Sequence, residues 1–132
     1  MEELKISPSL DKLDDATEFF ENFLTEAGAS VKTIMQVNVA VDEVLSNIIR
    51  YSGAASVTLR CSCADGRAEL CFSDDGCSYD PTAHSDPDIT LSAEEREIGG
   101  LGIFMVKKMM DCVTYERRDG LNVLTLVKQL NC

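Results

Sequence analysis

The apolar residues of this chain follow two different spacings, and the change between them restricts the folds that the chain can adopt. Up to Gly53 they recur every three or four positions, which predicts two amphipathic helices that are separated near Gly28 and Ser30. From residue 57 to residue 73 the spacing is two, which is typical of strands with one buried face. The pair Asp65-Gly66 lies between these two strands and predicts a hairpin turn.

The remaining elements complete one α/β domain. Residues 3–6 predict a first strand, residues 102–111 a third helix, and the segment around Asp119-Gly120 a second hairpin. Residues 75–100 have little periodicity and form a long polar connection. The predicted fold over residues 1–132 is a two-layer sandwich, in which three helices cover one face of a mixed, mostly antiparallel sheet.

The charge balance of the chain excludes several classes of partner. Lys and Arg together number 12 and Asp and Glu 23, so the net charge is −11 with His neutral. An acidic surface repels phosphodiester backbones and anionic lipids, so we expect no direct nucleic-acid binding and no membrane docking. The chain also lacks an apolar run of about 20 residues, the length that crosses a bilayer, and a signal-peptide pattern. These features predict a cytoplasmic protein.

Glu43 and Asn47 form the first candidate for chemistry. They lie four residues apart on the second predicted helix, so they share one face, beside its apolar stripe. A carboxylate can act as a general base, and an amide oxygen can ligate Mg²⁺. An ordinary solvated helix face would show the same spacing, and the pair alone favours that plainer interpretation.

Asp74 and Gly76 form the second candidate. Period-two counting places Asp74 on the same strand face as Leu70 and Phe72, where a buried carboxylate needs a hydrogen-bond donor. The exocyclic amino group of a purine is one such donor, and Gly76 would let the backbone approach a flat ligand closely. A strand that simply ends in an Asp-Gly turn is the alternative.

The third candidate is the run Gly99, Gly100, Leu101 and Gly102 at the start of the third predicted helix. Free N–H groups and the positive end of a helix dipole suit a phosphate chain. The run lacks both the Gly-Lys-Ser/Thr of a Walker A loop and the third glycine of a dinucleotide fingerprint, and a flexible helix entry would also explain it. The three candidates in this order are much more specific than any one alone.

Together the three motifs resemble those of the GHKL ATPase superfamily, which includes gyrase, MutL and histidine kinases. Residues 43–47 resemble its N box, residues 74–81 its first glycine box and residues 99–106 its second. The resemblance covers nearly the whole chain. It implies the histidine-kinase-like ATPase fold, with ATP and Mg²⁺ as cofactors and an ATP lid at about residues 79–98.

The resemblance also implies a role for each motif residue. Glu43 would polarise the attacking hydroxyl or water as the catalytic residue, Asn47 would hold Mg²⁺ against the triphosphate, and Asp74 would read the adenine amino group. The remaining implied nucleotide-binding residues shape the pocket with their backbones: Gly76, Gly99, Gly100, Leu101 and Gly102.

Within the superfamily the chain is most similar to the anti-sigma-factor serine/threonine kinases of partner-switching systems. This similarity implies a kinase that phosphorylates a serine on an anti-sigma-factor antagonist, binds a sigma-like factor and forms a homodimer. Tyr51 stands where the N box often continues to a histidine, and Ser78 where the first glycine box often has a second glycine. These departures leave open a non-catalytic ATP-binding module that sequesters a sigma-like factor without phosphoryl transfer.

Overall fold

The computed structural model describes residues 2–78 and 100–130, with the side chains of residues 100–103 outside that description. Its helices and strands follow in the order that the periodicity predicts: β1 (Glu2–Ile6), α1 (Leu13–Glu26), α2 (Val31–Asn47), β2 (Val57–Ala64), β3 (Arg67–Asp74), α3 (Gly100–Met109), β4 (Cys112–Arg118) and β5 (Leu121–Gln129). A short 3₁₀ turn at Leu10–Lys12 leads into α1, and a π-helical segment at Ile48–Ser52 extends α2.

The five strands form one sheet in the order β1-β2-β3-β5-β4, and every neighbouring pair is antiparallel. The prediction of a mixed sheet is therefore wrong for the residues that the structure describes. The reason lies in the crossover through α3, which enters the sheet at its edge strand β4. Because β5 then folds back between β3 and β4, it separates β3 from β4, which run in the same direction.

The described helices pack on one face of this sheet and enclose an apolar core. The rings of Phe20 on α1 and Phe72 on β3 are both fully buried, with their centroids 5.4 Å apart. Helix α2 and the first residue of the π-helical segment contribute a buried apolar stripe, which includes Val37, Val41, Val44, Leu45 and Ile48. Within the described ranges, no helix is both long and apolar enough to cross a bilayer.

Local signals in the sequence set the ends of these elements. The backbone N–H of Thr33 donates to the Ser30 hydroxyl at 3.1 Å, which confirms Ser30 as the N-cap of α2. Gly53 ends the helical segment in the left-handed conformation, with φ of 66°. Asp65 and Gly66 both have positive φ, as a two-residue hairpin turn with the twist of its strands requires.

Candidate functional site

The last residue of α2 is a buried asparagine with an unsatisfied amide. Asn47 is 2 % exposed, and neither its Oδ1 nor its Nδ2 has a hydrogen-bond partner among the described residues. Leaving a buried polar group unpaired costs about 1–3 kcal/mol. A buried group left unpaired at this cost calls for an explanation, such as a role in a site or a bound water or ion. Across residues 2–78 and 100–130, Oδ1 of Asn38 on the same helix is also unpaired, whereas in Asn47 both amide atoms are.

Glu43 lies one helical turn before Asn47 on the same side of α2, as its spacing predicts. Its side chain is half-buried, whereas the neighbouring Asp42 is exposed. The pair therefore combines an interior amide with a carboxylate that solvent and a second molecule can still reach.

The segment after Asn47 is π-helical and is tied to the loop that follows β3. Ser52 is 2 % exposed, and its hydroxyl donates to the carbonyl oxygen of Ile48 at 2.9 Å. The carbonyl oxygen of Ser52 in turn accepts from the N–H of Cys77 at 2.8 Å. These bonds hold the C-terminal end of α2 against the end of β3, so Asn47 and Asp74 lie at the same end of the sandwich.

Gly76 is where these two segments come closest. A Cβ atom built on Gly76 would lie 2.2 Å from the carbonyl oxygen of Ser52, and Gly76 itself is buried. The sequence prediction assigned this glycine to the close approach of a flat ligand. In the structure the group that approaches it is the backbone of Ser52, and this contact alone requires a residue without a side chain.

Asp74 points into the interior, as period-two counting predicts, and is 4 % exposed. Its Oδ1 accepts two hydrogen bonds, from the N–H of Gly76 and from Nδ2 of Asn122, each at 3.0 Å. Within the described part of the chain, Oδ2 accepts none. The protein therefore holds one oxygen through two donors, and the other oxygen can accept from a donor on a ligand.

Asn122 is a site residue that the motifs did not identify. It pairs directly with Asp74 across β3 and β5, and it is 4 % exposed. Its Nδ2 also donates to the carbonyl oxygen of Cys77 at 2.7 Å, and its Oδ1 accepts from the Tyr115 hydroxyl at 2.6 Å. The signal for it in the sequence is a polar residue on the strand face that otherwise carries Leu124 and Leu126.

Arg117, on β4, adds two hydrogen bonds to this network. Its Nη1 donates to Oδ1 of Asn122 at 3.1 Å and to the carbonyl oxygen of Gly76 at 2.8 Å. The side chain is exposed, unlike that of Asn122. The loop after β3 is thus held on one side by the end of α2 and on the other by the β4–β5 hairpin.

Asp75 has a structural role instead. Its Oδ1 accepts from the backbone N–H groups of Ala55 and Ser56, at 2.7 Å and 3.1 Å. These bonds, the one from Ser56 first, hold the pKa of the Asp75 carboxyl below its ordinary value. Of the two consecutive aspartates, only Asp74 faces the interior.

The glycine-rich run begins α3 at Gly100, two residues earlier than the sequence predicts. Leu101 and Gly102 therefore lie in the first turn, where backbone N–H groups have no acceptor within the helix. Gly99 and the predicted ATP lid at residues 79–98 lie outside the described residues. Helix α3 packs against α2, which carries Asn47.

This sandwich, with an unsatisfied asparagine ending one helix and a buried aspartate ending an adjacent strand, defines a nucleotide-binding domain of the ATPase class. The family model described as the histidine kinase-like ATPase domain matches residues 6–128, and the chain belongs to that family. The resemblance and the fold that the motifs predicted are thereby confirmed.

Two serine-protein kinases are similar to this chain over most of its length. The chain is 29 % identical to the serine/threonine-protein kinase BtrW of Bordetella bronchiseptica, over 93 % of this chain and 89 % of that protein. It is 27 % identical to the serine-protein kinase RsbW of Listeria monocytogenes, over 81 % of this chain and 73 % of that protein. The crystal structure of the RsbU and RsbW domains of Rv1364c from Mycobacterium tuberculosis superposes with a TM-score of 0.67 at 16 % identity, covering 98 % of this chain and 33 % of that one.

Proposed function

We propose that this protein is an ATP- and Mg²⁺-dependent serine/threonine kinase whose substrate is a serine on an anti-sigma-factor antagonist. The observation that carries the proposal is the amide of Asn47, which is buried and unpartnered at the end of α2. An amide oxygen is a suitable ligand for Mg²⁺, and its Nδ2 can donate to a phosphate oxygen. The family membership of the chain and the two kinase relatives agree with this assignment.

The other site residues would bind different parts of the nucleotide. Oδ2 of Asp74 would accept a hydrogen bond from the adenine amino group, because Oδ1 is already held by Gly76 and Asn122. The N–H groups of the first turn of α3, from Gly100 onward, would face the phosphates. Bound Mg²⁺ would supply charge neutralisation for phosphoryl transfer.

Glu43 would orient and polarise the serine hydroxyl. Its half-buried position suits this role, because the carboxylate lies beside Asn47 and can still be reached by a protein substrate. General acid–base catalysis by a positioned side chain contributes about 10²–10⁴-fold to a rate. The proposal also places the protein in the cytoplasm, as a homodimer that binds a sigma-like factor.

A kinase assay tests the proposal. The protein is incubated with Mg²⁺, radiolabelled ATP and a candidate antagonist protein, and phosphoserine on the antagonist is measured. We expect Glu43→Gln to lower the rate at least about 100-fold while ATP still binds. The matched control is Asp42→Asn, which changes the exposed neighbour on the same helix and should leave the rate within about twofold.

The same assay separates the kinase from the non-catalytic module that Tyr51 and Ser78 leave open. The hydroxyl of Ser78 lies 3.5 Å from that of Tyr115, so a side chain occupies the place of the second glycine. If ATP binds but no phosphoserine forms on the antagonist, the kinase assignment is wrong. Regulation that persists unchanged in Glu43→Gln would favour the module.

A further inference from the structure

The hydrogen bonds around Asn122 have only one self-consistent direction. The guanidinium of Arg117 carries donors and no acceptor, and its Nη1 contacts Oδ1 of Asn122. The opposite side of the amide contacts Oδ1 of Asp74 and the carbonyl oxygen of Cys77, both of which are acceptors. Turning the amide over would place its NH₂ group against the guanidinium and its oxygen against the carboxylate.

The direction of the hydrogen bonds of Asn122 also restrains the Asp74 carboxylate. A chain of donors runs from the Arg117 guanidinium through the Asn122 amide to Oδ1 of Asp74, and the Tyr115 hydroxyl reinforces it at 2.6 Å. Hydrogen bonds to an ionised acceptor are stronger and more directional than neutral ones. The carboxylate plane is therefore set jointly by the Gly76 N–H and by the β4–β5 hairpin, which lies outside all three sequence motifs.

We infer that Asn122, held by Arg117 and Tyr115, is a positioning residue that fixes the Asp74 carboxylate and thereby sets the preference of the site for adenine over hypoxanthine. The inference rests on the proposed function. A fixed carboxylate oxygen attracts the amino group of adenine and repels the carbonyl oxygen that hypoxanthine has in its place. Once Asn122 no longer donates to Oδ1, the Gly76 N–H is the donor that remains there. The carboxylate then gains freedom to rotate, and this discrimination weakens.

Two adjacent arginines on β4 provide a matched pair of variants. Arg117 faces the helix side of the sheet and contacts Asn122, whereas Arg118 faces the opposite side and pairs with Glu116. Both side chains are exposed, and Met replaces either with a shorter, uncharged chain of about the length of the Arg apolar stem. Arg117→Met therefore removes the contacts to Asn122 and to the carbonyl oxygen of Gly76, and Arg118→Met removes the same charge elsewhere.

The experiment measures the Kd of Mg-ATP and of Mg-inosine triphosphate by calorimetry on the wild type and on these variants. Asn122→Ala should lower the preference for ATP about tenfold. Arg117→Met should lower it about threefold, because solvent screens the exposed guanidinium, and Arg118→Met should leave it unchanged. Tyr115→Phe removes a single hydroxyl and should also lower the preference, so the inference can be tested even if Asn122→Ala does not fold.

A purely structural role would give a different result. In that case the variants would weaken the binding of both nucleotides by the same factor and leave their ratio unchanged, which would overturn the inference. A wild type that binds both nucleotides equally would contradict the inference while leaving the kinase proposal standing. A wild type that binds neither would contradict the proposed function, and the inference with it.

Discussion

The backbone of Gly76 lies against the carbonyl of Ser52 so closely that a Cβ atom at residue 76 would be 2.2 Å from the carbonyl oxygen. Ser52 ends the π-helical extension of α2, and Gly76 follows the end of β3. This contact joins the element that carries Asn47 to the element that carries Asp74. The two sides of the candidate nucleotide site are therefore held together by backbone, and the site depends on a glycine there.

Gly76→Ala should destabilise the protein by at least about 2 kcal/mol, because the new methyl group meets backbone that cannot turn away. Gly120→Ala is the control, since Gly120 has φ of 77° and open space around it. That control should cost only about 1 kcal/mol, from the left-handed conformation alone. Urea unfolding measures both values, and equal costs would show that the contact with Ser52 carries no strain.

Asn47→Leu should leave the ligand-free protein as stable as the wild type or raise its free energy of unfolding by about 1 kcal/mol. The substitution replaces an unsatisfied buried amide with an apolar side chain of similar size. The same variant should lose Mg-ATP binding, which calorimetry measures. A large loss of stability without nucleotide would mean that the Asn47 amide has a structural partner and is not kept for a ligand.

Cys61 should be unreactive toward a thiol reagent at pH 8. Burial, followed by the nearby charge of Glu2, raises the pKa of the Cys61 thiol from 9.0 to about 11, so only about one part in a thousand is thiolate at that pH. Cys63 and Cys112 are exposed and should react first. Mass spectrometry after brief alkylation identifies the order, and early labelling of Cys61 would contradict the burial.

The same thiol predicts how stability depends on alkaline pH. The pKa of Cys61 is higher in the folded state than its ordinary value, so its contribution to the free energy of unfolding is constant below about pH 9. As the pH rises from about 9 to about 11, the unfolded thiol ionises first and stability falls. Cys61→Ala should lessen this decline in urea unfolding at pH 8 and pH 10, and an identical decline in the variant would refute the assignment.

The local parts of this fold could be predicted from the sequence because their causes are local. Ser30 caps α2 through a residue three positions away, and the turn at Asp65-Gly66 depends on its own two residues. Asp74 points inward because successive side chains of a strand point to opposite faces of the sheet. The start of α3 was predicted to within two residues, because the apolar residues that follow the glycine-rich run mark where the helix begins.

The parts that sequence reasoning missed depend on long-range contacts. Asn122 enters the site only because β5 lies beside β3, which brings it opposite a residue 48 positions earlier in the chain. The need for glycine at residue 76 comes from Ser52, on another element. Rules on sequence spacing compare residues that are close in the chain, so they cannot identify either neighbour. The strand order that places Asn122 beside Asp74 follows from the crossover through α3.

The most direct test of the account follows the side-chain amides of the asparagines by NMR while Mg-ATP is added. We predict that the Asn47 side-chain amide and the Gly76 backbone amide shift in a saturable way with a common Kd. Asn38 lies on the opposite side of α2, and its side-chain amide should stay in place. Shifts confined to the face of the sheet opposite the described helices, around Cys71 and Thr125, with Asn47 unmoved at saturating nucleotide, would contradict the account.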